Sequence, residues 1–178
     1  WSVKDGALRG ETTKEQPTKG NTFLIWQGNA DGATVGDFEL RLSVRLHHGN
    51  SGVQYRSSQV AKGANAWIVG GYQMEVANEP GRAGFIYHER GRGRICLVGE
   101  KVVMDEAGKK QIVGSVGDPK AIARGNHAQQ WTNGVQTADL TDNDPKGRLL
   151  EGIIALQIHA GNPMWVEFKD LRLKRLVD

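Results

Sequence analysis

Along most of the chain apolar side chains fall at every second position and no window carries helical spacing, so the pattern predicts an all-β protein. The clearest stretch is Phe38–His47. There Phe38, Leu40, Leu42, Val44 and Leu46 alternate with Glu39, Arg41, Ser43, Arg45 and His47, as in a strand that covers a core with one face. Its length suits the curved sheets of a sandwich better than a small barrel. Further strands are predicted over residues 22–26, 51–57, 67–77, 84–88, 94–104, 112–116, 121–124, 127–132, 135–140, 152–159 and 165–173.

Turn residues separate these runs at Gly49-Asn50 and over residues 105–108, 117–119 and 143–147. Asn133-Gly134 accepts the positive φ angles of a type I′ turn and predicts a hairpin over residues 128–140. Near the end the apolar positions change parity, from Val166 and Phe168 to Leu171 and Leu173. A β-bulge at Lys169-Asp170 would absorb the extra residue. No composition shift or fixed-period repeat divides the chain, so one two-sheet antiparallel sandwich domain is expected over residues 1–178.

Composition narrows the classes. The 178 residues are 24% charged with 24 Gly and 5 Pro, which excludes disorder and collagen-like repetition. Lys plus Arg number 23 against 20 Asp plus Glu, a scattered surplus of +3 that gives no reason to expect a nucleic-acid partner. No run of about 18 apolar residues is present, so no membrane-spanning helix is expected. Cys96 is the only cysteine; it lies in the apolar run Ile95-Cys96-Leu97-Val98 and reads as a small core residue. The chain opens at Trp1 and not Met, which suggests an upstream piece such as a signal peptide.

A sandwich hides the inner faces of its sheets, so chemistry must come from outward faces or end loops. Three predicted strands each present two polar side chains on one face: Gln54 and Arg56, Gln73 and Glu75, and Gln157 and His159. Glu75 is either a solvated carboxylate paired with an Arg or, set in a very apolar strand, a base of raised pKa. His159 is followed by Ala160-Gly161-Asn162-Pro163 and either caps the sheet or faces a ligand. Tyr87-His88-Glu89-Arg90-Gly91-Arg92-Gly93 reads as a loop at the rim of a cleft. Its Arg-Gly alternation is too short for an RNA-binding element and lacks the strand-to-helix setting of a phosphate loop. His47, His48, His88 and His127 have no metal-ligand spacing, and Asp139, Asp142 and Asp144 read as turn residues and not a calcium loop. No metal or cofactor is expected.

Taken in order, Trp1-Ser2-Val3-Lys4-Asp5-Gly6-Ala7-Leu8, Gly49-Asn50-Ser51-Gly52-Val53-Gln54-Tyr55-Arg56, Gly71-Tyr72-Gln73-Met74-Glu75-Val76, Ile122-Ala123-Arg124-Gly125-Asn126-His127, Thr132-Asn133-Gly134-Val135 and Leu156-Gln157-Ile158-His159-Ala160-Gly161 resemble the 3-keto-disaccharide hydrolase family over nearly the whole chain. The resemblance implies a concanavalin-A-like jelly roll and usually an exported, periplasmic or cell-surface bacterial protein that acts on carbohydrate. Two features depart from the family pattern: Glu75 stands where the nearest group commonly has Asp, and Gly117-Asp118-Pro119-Lys120 replaces an aromatic-Asn motif.

The implied substrate is an oxidised disaccharide or glycoside. A ketone at C3 acidifies the C2 proton; a base removes it, the enolate expels the C1 substituent, and water adds to the enone. Such a reaction asks for a base, an oxyanion partner and an acid for the leaving oxygen. Glu75 or His159 is the expected base, Arg56 the oxyanion partner, and His159 or Glu89 the acid, with Gln54, Gln73, Tyr87, Glu89, Arg90 and Gln157 expected to bind substrate. Three rival readings stay open. One is a two-carboxylate glycosidase drawing on Glu79 or Glu89 besides Glu75. Another is a carbohydrate-binding module that stacks sugars on Trp26, Trp67, Trp131 or Trp165, and the third is an interaction domain with a merely solvated polar face.

Overall fold

The computed structural model describes residues 1–61, 67–115 and 124–177, and among them every regular element is a strand. The strands are β1 (Ser2–Lys4), β2 (Ala7–Thr12), β3 (Thr22–Ile25), β4 (Phe38–His47), β5 (Asn50–Gln59), β6 (Val69–Ala77), β7 (Ile86–Glu89), β8 (Gly93–Cys96), β9 (Glu100–Met104), β10 (Lys110–Ser115), β11 (His127–Thr132), β12 (Val135–Asp142), β13 (Ile153–Ile158) and β14 (Met164–Arg175). The fold is a jelly-roll sandwich of the concanavalin-A-like kind. Most of the strand expected over 121–124, and the last residue of that over 112–116, lie outside the described residues.

One layer is a six-stranded sheet in the order β3-β13-β5-β6-β7-β8. The other layer differs from the expected single sheet: it is split into two four-stranded sheets, β1-β2-β14-β4 and β10-β9-β12-β11. The strand pairs are antiparallel as expected, with one parallel pair among the described strands, β9 and β12, within the second of these. Each small sheet seals one half of the large one. Val53, Leu156 and Ile158 of the large sheet pack on Met164, Val166 and Phe168 of β14. Tyr72, Ile86 and Cys96 pack with Val102, Ala138 and Leu140. Burying side chains of this size contributes about 1.5–3 kcal/mol each, which makes the two clusters the main hold between the layers.

The expected local devices are present. Asn133 and Gly134 have φ of 52° and 79° and join β11 to β12 with Thr132 opposite Val135. In β14 the register against β4 shifts between Lys169 and Arg172, and Asp170 has φ of 55°, so the parity change is a bulge. The run expected over 94–104 is two strands, β8 and β9, because the chain turns at residues 97–100 with Gly99 at φ of 88° to cross between layers. Cys96 is fully buried, and burial pushes its thiol up to about 12, as suits an inert core residue.

Candidate functional site

The large sheet packs its Val53, Tyr72, Met74, Leu156 and Ile158 face inward, so the alternate residues Gly52, Gln54, Gln73, Glu75, Gln157 and, just past the strand, His159 share the outer face. Gln157, Gly52 and Glu75 lie in one cross-strand row; Ala155, Gln54, Gln73 and Tyr87 lie in the next. Glu89 stands opposite Gly71, one row further on. On a flat sheet, three strand spacings and four residues along would separate the backbones of Gln157 and Glu89 by roughly 20 Å. Their side chains nonetheless meet, Gln157 Nε2 donating to Glu89 Oε2 at 3.2 Å. The face is therefore curled into a trough.

The floor of this trough is an ordered chain of amides. Ser57 Oγ donates to Gln54 Oε1 at 3.0 Å, Gln54 Nε2 to Gln73 Oε1 at 2.7 Å, and Gln73 Nε2 to Glu75 Oε2 at 2.9 Å. Gly52 makes this geometry possible: a Cβ there would stand 2.3 Å from Gln73 Cδ, so only glycine lets the Gln73 amide lie across β5. Glu75 ends the chain. Its Oε1 accepts from Asn50 Nδ2 and, at 2.6 Å, from Arg82 Nη2, and the residue is 3% exposed. Three of about four acceptor positions on this carboxylate are thus occupied. Sequence reading missed Asn50, taken for a turn residue, and Arg82. The available signal was the turn over residues 79–82, which brings Arg82 back towards the strand that carries Glu75.

Glu89 is in a different state. It is half-buried, its Oε2 holds the Gln157 amide, and its Oε1 has no hydrogen-bond partner among the described residues. Burial raises its pKa above the ordinary carboxylate value, assisted by the charge of Glu75; Arg90, the Gln157 bond and His159 pull the other way without cancelling it. His159 is exposed at the end of β13, with Nδ1 2.6 Å from Ala160 O. A carbonyl only accepts, so Nδ1 carries a proton and Nε2 faces outward. Arg90 is exposed directly after β7, and Tyr87 is half-buried opposite Gln73. The outer face thus gathers Glu75, Glu89, Tyr87 and the three glutamines, with His159 just past β13 and Arg90 just past β7.

Arg56 is a correction. Alternation placed it beside Gln54 as an oxyanion partner, but β5 bulges: from Tyr55 to Ser58 it spends three steps where β6 spends two, from Tyr72 to Gly70. Arg56 takes φ of 46° and is 1% exposed. Ser57 takes the trough position in its place, bonded to Gln54. The bulge needs glycine on both sides, since a Cβ on Gly71 or Gly152 would stand 2.3–2.4 Å from atoms of Ser57. The guanidinium donates to Gly36 O at 3.1 Å, Gly125 O at 2.5 Å, Leu149 O at 3.3 Å and Asp37 Oδ1 at 2.8 Å. With four of its five N–H donors committed and its side chain buried, it is a clamp for three loops and out of reach of a substrate oxyanion.

The remaining candidates also resolve. Arg92 of the Arg-Gly run turns to the opposite side and binds Asp142, Asp144 and Gly147 O, so those aspartates serve an internal ion-pair network. Among the described residues no group of three or more His, Cys, Asp or Glu is gathered in metal-binding fashion, and no helix is long and apolar enough to cross a membrane. Trp26 and Trp67 pack against apolar clusters, and the Trp165 ring lies between His47, stacked at 5.2 Å, and Arg9 at 4.4 Å. An apolar cavity of about 400 Å³ at the sheet edge, lined by Leu8, Leu24, Trp26, Leu40, Leu156 and Leu173, offers nothing to a polyol.

Fold and site together define a β-sandwich protein whose curled outer face carries a set of carboxylates and amides. The chain belongs to the 3-keto-alpha-glucoside-1,2-lyase-like domain family, whose model matches residues 1–174, and the family's description points to cleavage of 3-keto glycosides. No curated protein matches the chain significantly.

Proposed function

We propose that the trough binds a glycoside oxidised at C3 and cleaves it by β-elimination. The carrying observation is Glu89: a desolvated carboxylate with one oxygen unbonded among the described residues, near an exposed imidazole and an exposed guanidinium. Glu89 Oε1 takes the C2 proton, and the C–H electron pair passes into an enolate whose oxygen at C3 meets Arg90. The enolate then reforms the ketone, the C1–C2 double bond forms, and the C1–O bond breaks. Doubly protonated His159, held through Nδ1 by Ala160 O, gives its Nε2 proton to the departing oxygen. Glu89 ends protonated and His159 neutral, so proton exchange with solvent restores both. Water adds to the enone afterwards if the overall outcome is hydrolysis.

Glu75 acts here as an anchor. Its charge orients Gln73 and Gln54, and its occupied oxygens leave it poorly placed as the second carboxyl of a conventional glycosidase. The deciding experiment incubates the protein with a disaccharide and with its 3-keto derivative and follows release of the free sugar. Release from the oxidised substrate alone is expected. Equal release from both would select the two-carboxylate route, and binding of unmodified glycans without turnover would select a binding module. His159→Ala is expected to slow substrates with poor leaving groups by about 10²-fold and to spare those with an acidic phenol. A uniform loss across leaving groups would remove the acid role.

A further inference from the structure

Gln157 carries an unexplained feature. The residue is fully buried, yet its Oε1 has no hydrogen-bond partner among the described residues, while its Nε2 is spent on a carboxylate three strands away. A buried acceptor without a donor is costly. Turning the amide over would only aim its lone pairs at the Glu89 carboxylate, so the bond to Glu89 governs how the amide sits. The neighbouring glutamines behave differently: Gln54 and Gln73 use both ends of their amides, within the chain that stops at Glu75. The floor therefore holds two separate amide systems, one serving Glu75 and one serving Glu89 alone.

Resting on the elimination reading, we propose that Gln157 is the positioning residue of the Glu89 carboxyl: it grips Oε2 across the trough and so turns the free Oε1 towards the substrate. The family resemblance made it a substrate ligand, but the donor half of its amide is already engaged. The grip also favours the ionised carboxylate, because an N–H donor aids the charged form. Other charged groups facing Glu89 are Arg90 at the end of its own strand, Glu75 on β6 and His159 past β13. Against the pull of burial and of Glu75, Gln157 is the neutral member of the set that keeps the base usable near neutrality.

The test replaces Gln157 with methionine, similar in size and without an amide, and follows the Glu89 carboxyl directly by ¹³C NMR of side-chain-labelled protein. Glu89→Gln assigns the signal. In Gln157→Met the Glu89 titration midpoint is expected to rise by about one pH unit. The acid limb of the kcat/KM profile for a 3-keto glucoside should rise with it, and plateau kcat should fall about tenfold while KM stays within about twofold. Gln54→Met, on the same floor but not touching Glu89, should leave the midpoint in place. A midpoint that stays put in Gln157→Met while KM rises would make Gln157 a substrate ligand and overturn the proposal; equal shifts in both variants would reduce it to general packing. If the wild-type protein turns over no 3-keto glucoside, the elimination reading falls, and the NMR midpoints still decide whether Gln157 governs Glu89.

Discussion

Two carboxylates on opposite faces of the sandwich sit among glutamines beside a histidine, and they hold protons with opposite tendencies. Asp139, on β12 in a small sheet, accepts from Gln129 at 2.7 Å and Gln136 at 3.2 Å, and lies 2.9 Å from His127 Nε2. Burial alone would raise its pKa, but the bonds from Gln129 and His127, with Lys101 beyond, hold it below the ordinary value. Among the described residues Glu89 has a single amide donor and the Glu75 charge for a neighbour, and burial prevails. The ionisable group is a carboxylate in both places, on an Asp in one and a Glu in the other. The number of donors that reach each oxygen decides whether a buried carboxylate becomes a fixed anion or a proton acceptor.

Activity should separate the two most strongly. Glu89→Gln is expected to lower turnover of a 3-keto glucoside by about 10³-fold, within the span set by loss of a general base. Asp139→Asn should leave that rate within about twofold, and a comparable loss at both positions would dissolve the distinction. Stability should separate them with opposite signs. Asp139→Asn removes the charged acceptor of three donors and should cost about 1–2 kcal/mol in urea unfolding. Glu89→Gln relieves a desolvated charge and should stabilise by about 0.5 kcal/mol, the usual trade between a working site and a stable one.

The smallest effect is in the pH dependence of unfolding. Asp139, with its folded pKa depressed, contributes stability that is present above its unfolded value and lost as pH falls through the folded one. Glu89, with its folded pKa raised, contributes stability that is present below its unfolded value and lost as pH rises through the folded one. Relative to wild type, Glu89→Gln should therefore gain stability as pH climbs above the ordinary carboxylate range. Asp139→Asn should lose its deficit in strong acid. Urea midpoints measured between about pH 3 and 7 check both slopes.

Much of the framework was legible because strand alternation is a local property. Phe38–His47 and His127–Thr132 were placed to the residue, and the β14 bulge showed itself as a change of parity. β1 and β2 were missed for an equally local reason. The inward positions of β2 include Gly10 and Thr12, so the apolar rhythm is absent. Gly10 is there because Ile158 and Trp1 fill the space its side chain would take, a Cβ standing 2.5 Å from Ile158 Cδ1. In the site, alternation put Gln54, Gln73, Glu75, Gln157 and His159 on one face, and they are there. It failed at Arg56, where one extra residue in β5 reversed the side chain, because neither Tyr55 nor Ser57 carries a parity signal that marks the bulge.

The amino-acid order alone determined that the chain forms strands, which faces of most of them turn inward, and that a row of amides and Glu75 would lie on one outer surface. Periodicity of two is written residue by residue and needs no knowledge of neighbours in space. Only the tertiary structure decided that Glu75 would be locked by Asn50 and Arg82 and that Glu89 would keep one oxygen unbonded among the described residues. It also decided that Arg56 would brace three loops. Those outcomes depend on sheet curl, on a bulge and on loop returns that bring distant residues within 3 Å or so, and hydrogen-bond energies at such range are set by contacts that no local pattern encodes.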